Sequence, residues 1–204
     1  MENVLEKVVV WAVPVLVAVI LHEISHGAVA YLLGDTTARD AGRLTLNPIP
    51  HIDPIGTIAL PALLIFTGAP FLFGYARPVP VNFRQLHWPK AGMVLVAAAG
   101  PVTNFILATI SAILLHLVGA EAGVLTSILL ASVVMNIVLG VFNLIPIPPL
   151  DGGRVMTGLL PLPAARVYAR IEPFGMVLIV LLLASGNLNT LIGPVVDALL
   201  KTLL

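Results

Sequence analysis

Long apolar runs with almost no charged residues constrain this 204-residue chain most strongly. A helix that crosses a bilayer needs about 20 predominantly apolar residues, and several runs approach or exceed that length. The pattern therefore predicts an all-α polytopic membrane protein with about 4–6 transmembrane helices. The runs cover Val8–Leu21 with a continuation to Leu33, Ile55–Phe73, Ala91–Val118, Val124–Ile145, Pro173–Ser185 and Thr190–Leu204.

The composition agrees with this class. Hydrophobic residues make up 59% and charged residues 10% of the chain, whereas soluble domains have about 45–50% and about 25%. A net charge of zero argues against nucleic acid as a partner, and the lack of cysteine argues against a disulfide-rich secreted domain. We expect a single domain over residues 1–204, with its core at 8–160 and C-terminal helices at 171–204, embedded in the lipid bilayer of the cell membrane as a multi-pass protein.

One polar motif interrupts the first apolar run. His22, Glu23 and His26 form the pattern HExxH. Residues four apart share one face of a helix, so the two imidazoles can bind one metal ion. The carboxylate between them is then placed to take a proton from water, as in zinc proteases. Such a motif can arise by chance on an exposed helix, but here 14 charge-free residues precede it, and burying it in a bilayer without partners costs several kcal/mol.

A third protein ligand is expected, because catalytic zinc commonly has three. Asp151 is the most suitable acid, since it directly follows the fourth apolar run. Prolines 146, 148 and 149 end the helix, and Gly152 and Gly153 permit a tight turn that could aim the carboxylate at the core. The alternative is that Asp151 caps a helix over Arg154–Leu160.

Two polar connections contain short extended patterns. Arg43–Leu46 alternates like a β-strand, and Val79 and Val81 suggest a second extended piece in which prolines restrict pairing. Either piece could pair with an unwound substrate as an added strand.

The positions of the two motifs constrain the topology. His22 and Asp151 can meet only if an odd number of membrane crossings separates their helices. We therefore expect Ile55–Phe73, which contains internal glycine and proline, to be re-entrant or half-buried. With Lys201 left aside, this arrangement puts eight basic residues on one side and only Lys7 on the other, and the positive-inside rule makes the first side cytoplasmic. The eight are Arg39, Arg43, Arg77, Arg84, Lys90, Arg154, Arg166 and Arg170.

Five segments together resemble the site-2 protease family of intramembrane zinc metalloproteases. They are HEISHG, FNLIPIPPLDGGR, GDTTARDAGRLTLNPIPHIDPIGT (Gly34–Thr57), GYARPVPVN (Gly74–Asn82) and AAAGPVTN (Ala97–Asn104). They occur in the order of the family, and the chain is most similar to its compact subgroup without PDZ or CBS domains. The resemblance implies a zinc metalloendopeptidase that holds one Zn²⁺ per chain.

The resemblance also implies roles for individual residues. His22, His26 and Asp151 would be the metal ligands, and Glu23 would be the catalytic base. Asn143 would act on the substrate side of the site, although interhelical hydrogen bonding is the alternative for this amide.

Three further polar residues fall on family segments. The resemblance places Asn104 near the site, and here too interhelical hydrogen bonding is an alternative. His51 and Asp53 match an HxDP segment, for which we prefer a loop cap to a second metal site.

The expected reaction is hydrolysis of peptide bonds within or near transmembrane segments of a membrane-protein or peptide substrate. The alternative is a metal-ion transporter or a metal-sensing membrane protein, which would also use intramembrane His and acidic residues. The sequence does not indicate the oligomeric state or the identity of the substrate.

Overall fold

A computed structural model describes residues 4–71, 73–119 and 123–204, and Leu72 of the predicted second run lies outside these ranges. The described residues are mostly helical, as predicted. A 3₁₀ turn at Ile49–His51 and a π-helical segment at Pro54–Ala59 precede α3. The α-helices are α1 (Val4–Leu32), α2 (Thr37–Asp40), α3 (Leu60–Phe66), α4 (Pro89–Val118), α5 (Val124–Asn143), α6 (Asp151–Leu159), α7 (Leu162–Ala169), α8 (Glu172–Ala184) and α9 (Asn187–Leu203).

Three of the described helices are long and apolar enough to cross a membrane: α1, α4 and α5. The count rises to four if α7 and α8, which meet at a 60° bend, form one broken span. The predicted all-α membrane architecture is therefore confirmed, and the three or four candidate spans lie at or just below the lower end of the expected 4–6.

The helices α1, α4 and α5 pack against one another and form the frame of the molecule. Small buried residues on α4, including Ala97, Gly100 and Ala108, let the neighbouring helices approach closely. A second packing layer joins α4, α5 and α9. Its buried members are Ala108, Ala112, Val133, Ile137, Val141, Ile145, Leu188, Ile192 and Val196.

The short strand predicted at Arg43–Leu46 is wrong, because these residues form no strand, and none occurs elsewhere in the described ranges. Local side chains satisfy the backbone here. The hydroxyl of Thr45 accepts from the N–H of Asn47, and the side chain of Asn47 accepts from the N–H of Ile49. Such local bonds compete with strand pairing. Residues 73–82 are irregular and likewise form no β-ladder.

The expected re-entrant segment contains the π-helical turn and α3, which together run over Pro54–Phe66. At 1.5 Å per residue this segment is about 20 Å long, shorter than the apolar core of a bilayer at about 30 Å. Its length suits a re-entrant element, and the membrane topology itself stays a prediction.

Candidate metal centre and active site

Two residues of α1 and the first residue of α6 converge on one point. The Nε2 atoms of His22 and His26 lie 3.0 Å apart, and they lie 3.1 Å and 3.3 Å from Oδ2 of Asp151. All three residues are buried. Two imidazole nitrogens and one carboxylate oxygen are a common ligand set for catalytic zinc, so this cluster can hold a metal ion.

The other ring nitrogen of each histidine is already bound. Nδ1 of His22 lies 2.6 Å from Oδ1 of Asn104, and Nδ1 of His26 lies 2.7 Å from the backbone carbonyl of Val96. Because both partners are acceptors, each Nδ1 carries the hydrogen and each Nε2 offers its lone pair. Both imidazoles are thus in the form that binds a metal through Nε2.

Two further observations fit a metal at this point. Oδ2 of Asp151 is buried without a hydrogen-bond partner among the described residues, and a cation would satisfy it. Gly100 keeps the space open, because a Cβ there would lie 2.5 Å from Nε2 of both histidines.

The close return of the chain after α5 places Asp151. The helix α6 begins at Asp151 itself, with Leu150 at the capping position, so the carboxylate faces the histidines. The glycines that follow are needed for close approach. A Cβ at Gly152 would lie 2.2 Å from the carbonyl oxygen of Leu144, and one at Gly153 would lie 2.4 Å from the nitrogen of Pro148.

The carboxylate of Glu23 is held by an irregular segment. Its Oε2 accepts a hydrogen bond of 2.7 Å from the backbone N–H of Val79. Pro78 and Pro80 flank Val79 and have no N–H of their own, so this donor is the only one in the triplet. The segment thereby fixes Glu23 beside the His–His–Asp cluster.

A cavity of about 370 Å³ joins these groups. Its lining includes His22, Glu23, His26 and Asp151, together with Asn143. The amide of Asn143 donates to the carbonyl of Leu139 one turn earlier in α5. The structure therefore brings together every predicted site residue around one cavity, and their roles stay predictions.

The remaining predicted polar residues have local contacts. Asp53 accepts from the N–H groups of Ile55 and Gly56 and so caps the π-helical turn, which confirms the loop-cap interpretation. His51 is buried against the carbonyl of Thr45. The placement of Asn104 near the site is confirmed by its bond to His22.

Sequence reasoning missed several contributors to the site. The carbonyl of Val96 and the N–H of Val79 are backbone groups, which leave no signal in a residue pattern. Asn136 was also missed. It is a fully buried amide inside an apolar run, and that unusual placement could have identified it.

The comparisons with known proteins agree with this geometry. The profile described as Peptidase family M50 matches residues 118–185. YwhC of Bacillus subtilis (strain 168) is provisionally named a zinc metalloprotease and is 39% identical over 194 residues, which cover 91% of this chain and 85% of YwhC. Rip2 of Mycolicibacterium smegmatis, with the same kind of name, is 31% identical over 85% of this chain and 66% of its own length. Zinc metalloprotease MJ0392 of Methanocaldococcus jannaschii is 29% identical over 51% of this chain and 32% of its own length. No solved structure matches.

The fold and the His–His–Asp centre define a zinc metalloprotease embedded in the membrane. The chain belongs to Peptidase family M50, the site-2 protease family. It is an intramembrane zinc protease, and Zn²⁺ is its metal. The alternative of a metal transporter or sensor finds no support among these relatives.

Proposed function

We propose that this enzyme cleaves peptide bonds within or near transmembrane segments of membrane proteins, using one Zn²⁺ held by His22, His26 and Asp151. The observation that supports this most directly is the convergence of their three ligand atoms beside Glu23 in one cavity. We further propose that residues 1–204 act as a single catalytic domain in the cell membrane.

Glu23 is the proposed general base and acid. When bound, zinc would polarise the scissile carbonyl and make water more acidic. Glu23 would take the proton from water and then give it to the leaving amine. The Val79 N–H holds one carboxylate oxygen, so the other oxygen is left to exchange the proton.

Asn143 is proposed to bind the substrate backbone. It lines the cavity with Glu23 and Asp151, and its Nδ2 already donates to the carbonyl of Leu139. Its carbonyl oxygen and second N–H hydrogen are the groups that could contact a peptide. The substrate must be unwound locally, because a helix keeps its carbonyls hydrogen-bonded.

The irregular segment 73–82 is proposed to support the unwound substrate. Its residues 73–76 and Pro78 line the cavity. One edge of the segment is bound to the rest of the protein, because the N–H groups of Tyr75 and Arg77 donate to the backbone carbonyls of Gly56 and His51. A substrate strand could therefore pair along the remaining edge.

The substitution Glu23→Gln tests this function. A glutamine keeps the shape but cannot take a proton, and general base catalysis contributes about 10²–10⁴-fold. We expect cleavage of a membrane-inserted reporter to fall by that factor while the zinc content, measured by mass spectrometry of the purified protein, stays at one per chain.

Glu6→Gln is the matched control, because Glu6 lies in the same helix at the first turn, away from the cavity. It should retain both cleavage and zinc. Full cleavage by the Glu23→Gln protein would contradict the proposal, and metal flux into vesicles that persists in that variant would instead indicate transport.

A further inference from the structure

A chain of polar side chains continues from the metal centre into the apolar core. Asn104 of α4 contacts Asn136 of α5, and Asn136 contacts Ser132 one turn earlier. Both amides are completely buried. Asn136 lies behind Asn104 and does not line the cavity. Polar residues at such positions in apolar helices are costly and are commonly functional.

The hydrogen bonds of this chain can run in only one direction. The backbone carbonyl of Ser132 is purely an acceptor, so it must face Nδ2 of Asn136, 2.9 Å away. Oδ1 of Asn136 is then turned to Asn104 and accepts from its Nδ2 at 2.9 Å. The carbonyl of Ala18 also accepts from this Nδ2, at a longer distance of 3.4 Å.

The direction determines what Asn104 offers to the metal ligand. With its Nδ2 committed to Asn136 and Ala18, its Oδ1 faces Nδ1 of His22 at 2.6 Å. That oxygen can only accept, so the hydrogen of the imidazole lies on Nδ1 and the lone pair lies on Nε2. A rotated Asn104 amide would present its N–H₂ to Nδ1 and favour the wrong tautomer.

We propose that Asn136 is a positioning residue for the zinc centre: it orients the amide of Asn104, which in turn holds His22 in the metal-binding tautomer. This inference rests on the proposed zinc ligands. The role extends the support of His22 from α4 to α5, because two hydrogen bonds connect Asn136 to this ligand.

A purely structural role for Asn136 would be an ordinary interhelical hydrogen bond. Two substitutions of nearly the same size separate the roles. Asn136→Leu removes the acceptor that faces Asn104. Asn136→Asp keeps an acceptor toward Asn104, and the protonated carboxyl that burial favours can donate to the carbonyl of Ser132 as the amide does. It therefore preserves the orientation of Asn104 although it disturbs the buried environment.

The experiment measures zinc affinity of the full chain in lipid nanodiscs by competition with a chelator, together with the midpoint of thermal unfolding. One interhelical hydrogen bond in a membrane is worth about 0.6 to 1.7 kcal/mol, so we expect Asn136→Leu to weaken zinc binding roughly three- to twentyfold. Asn136→Asp should keep the wild-type affinity even where it unfolds at a lower temperature. Ser111→Ala is the control. The hydroxyl of Ser111 contacts the hydroxyl of Ser132, and it does not determine how the amide of Asn136 is oriented.

Equal losses of zinc affinity in both Asn136 variants, or no loss in either, would overturn the proposal. Asn136→Ala removes the same acceptor without added bulk and replaces the leucine variant if that protein does not fold. A wild-type protein that binds no zinc would refute the metal centre itself, whereas a zinc-binding wild type with an unaffected Asn136→Leu refutes only the positioning role.

Discussion

Two walls of the cavity are built in different ways. The helical wall, which we define as α1, α4 and α5 around the histidines, orients its ligands through contacts between packed helices, such as His22 with Asn104 and His26 with Val96. The loop wall, residues 73–83, has no regular structure. Side chains hold its backbone: Glu23 and Asp35 accept from the N–H groups of Val79 and Asn82.

The difference separates binding the metal from handling the proton. The helical wall contributes two of the three proposed metal ligands and orients them rigidly, since each ring is fixed at Nδ1. The loop wall contributes no ligand but positions Glu23 through Val79. Damage to the first wall should therefore weaken metal binding, and damage to the second should slow turnover while the metal remains.

Among substitutions in the helical wall, we expect Gly100→Ala to have the largest effect. Its Cβ would lie 2.5 Å from the Nε2 atoms of His22 and His26, inside the contact distance of real atoms. We expect the imidazoles to move apart and zinc affinity to fall at least as far as the roughly 10- to 100-fold seen when support of a metal ligand is lost. Overpacking should also destabilise the fold by about 1–3 kcal/mol.

Gly193→Ala is the matched control, because a Cβ at this helical position of α9 meets nothing within 4 Å. Chelator competition on both purified variants measures zinc affinity. Wild-type zinc affinity in Gly100→Ala would show that the two histidines do not need the space above Gly100.

The helical wall could largely be predicted from the sequence, because its signals are local. HExxH fixes His22 and His26 on one helix face, and apolar length predicts α1, α4 and α5. The sequence also indicates a role for Gly152 and Gly153, but it predicts that they permit a tight turn. The actual reason is tertiary, since each packs directly against the backbone of the returning loop.

The loop wall could not be predicted in the same way. Alternation suggested a strand at Arg43–Leu46, yet Arg43 turns inward and its guanidinium donates to the carbonyl of Arg77. The bond between Glu23 and Val79 joins residues 56 positions apart through a backbone donor. Such contacts depend on tertiary packing, which no residue pattern in a single sequence encodes.

Val79→Pro tests the loop wall alone, because it removes the backbone N–H that donates to Glu23. The backbone before Pro80 is already restricted to extended conformations, so proline fits with little distortion. A hydrogen bond to a charged group is worth about 1.5–3 kcal/mol, and we expect turnover to fall roughly tenfold or more as Glu23 loses its orientation.

Val79→Ala is the control, since it trims the buried side chain but keeps the donor. Rates with a membrane-inserted reporter and zinc content should be measured for both proteins. If Val79→Pro loses zinc as well as activity, the two walls are not separable; if it keeps full turnover, the Val79 N–H does not position Glu23.

The smallest effect is expected at the returning loop that presents Asp151. The Tyr168 hydroxyl donates to the carbonyl of Pro146 at 2.6 Å, and burial raises the pKa of Tyr168. Tyr168→Phe should cost about 0.5–1.5 kcal/mol of unfolding free energy and leave zinc affinity unchanged, because Gly152 and Gly153 still pack the loop against α6.

A raised pKa means that the folded state favours the protonated phenol, so the stabilisation is complete below the ordinary value of about 10 and declines as the pH rises above it. Denaturant unfolding of wild type and variant at neutral pH and near pH 11 measures this, and a stability difference that grows with pH would contradict it.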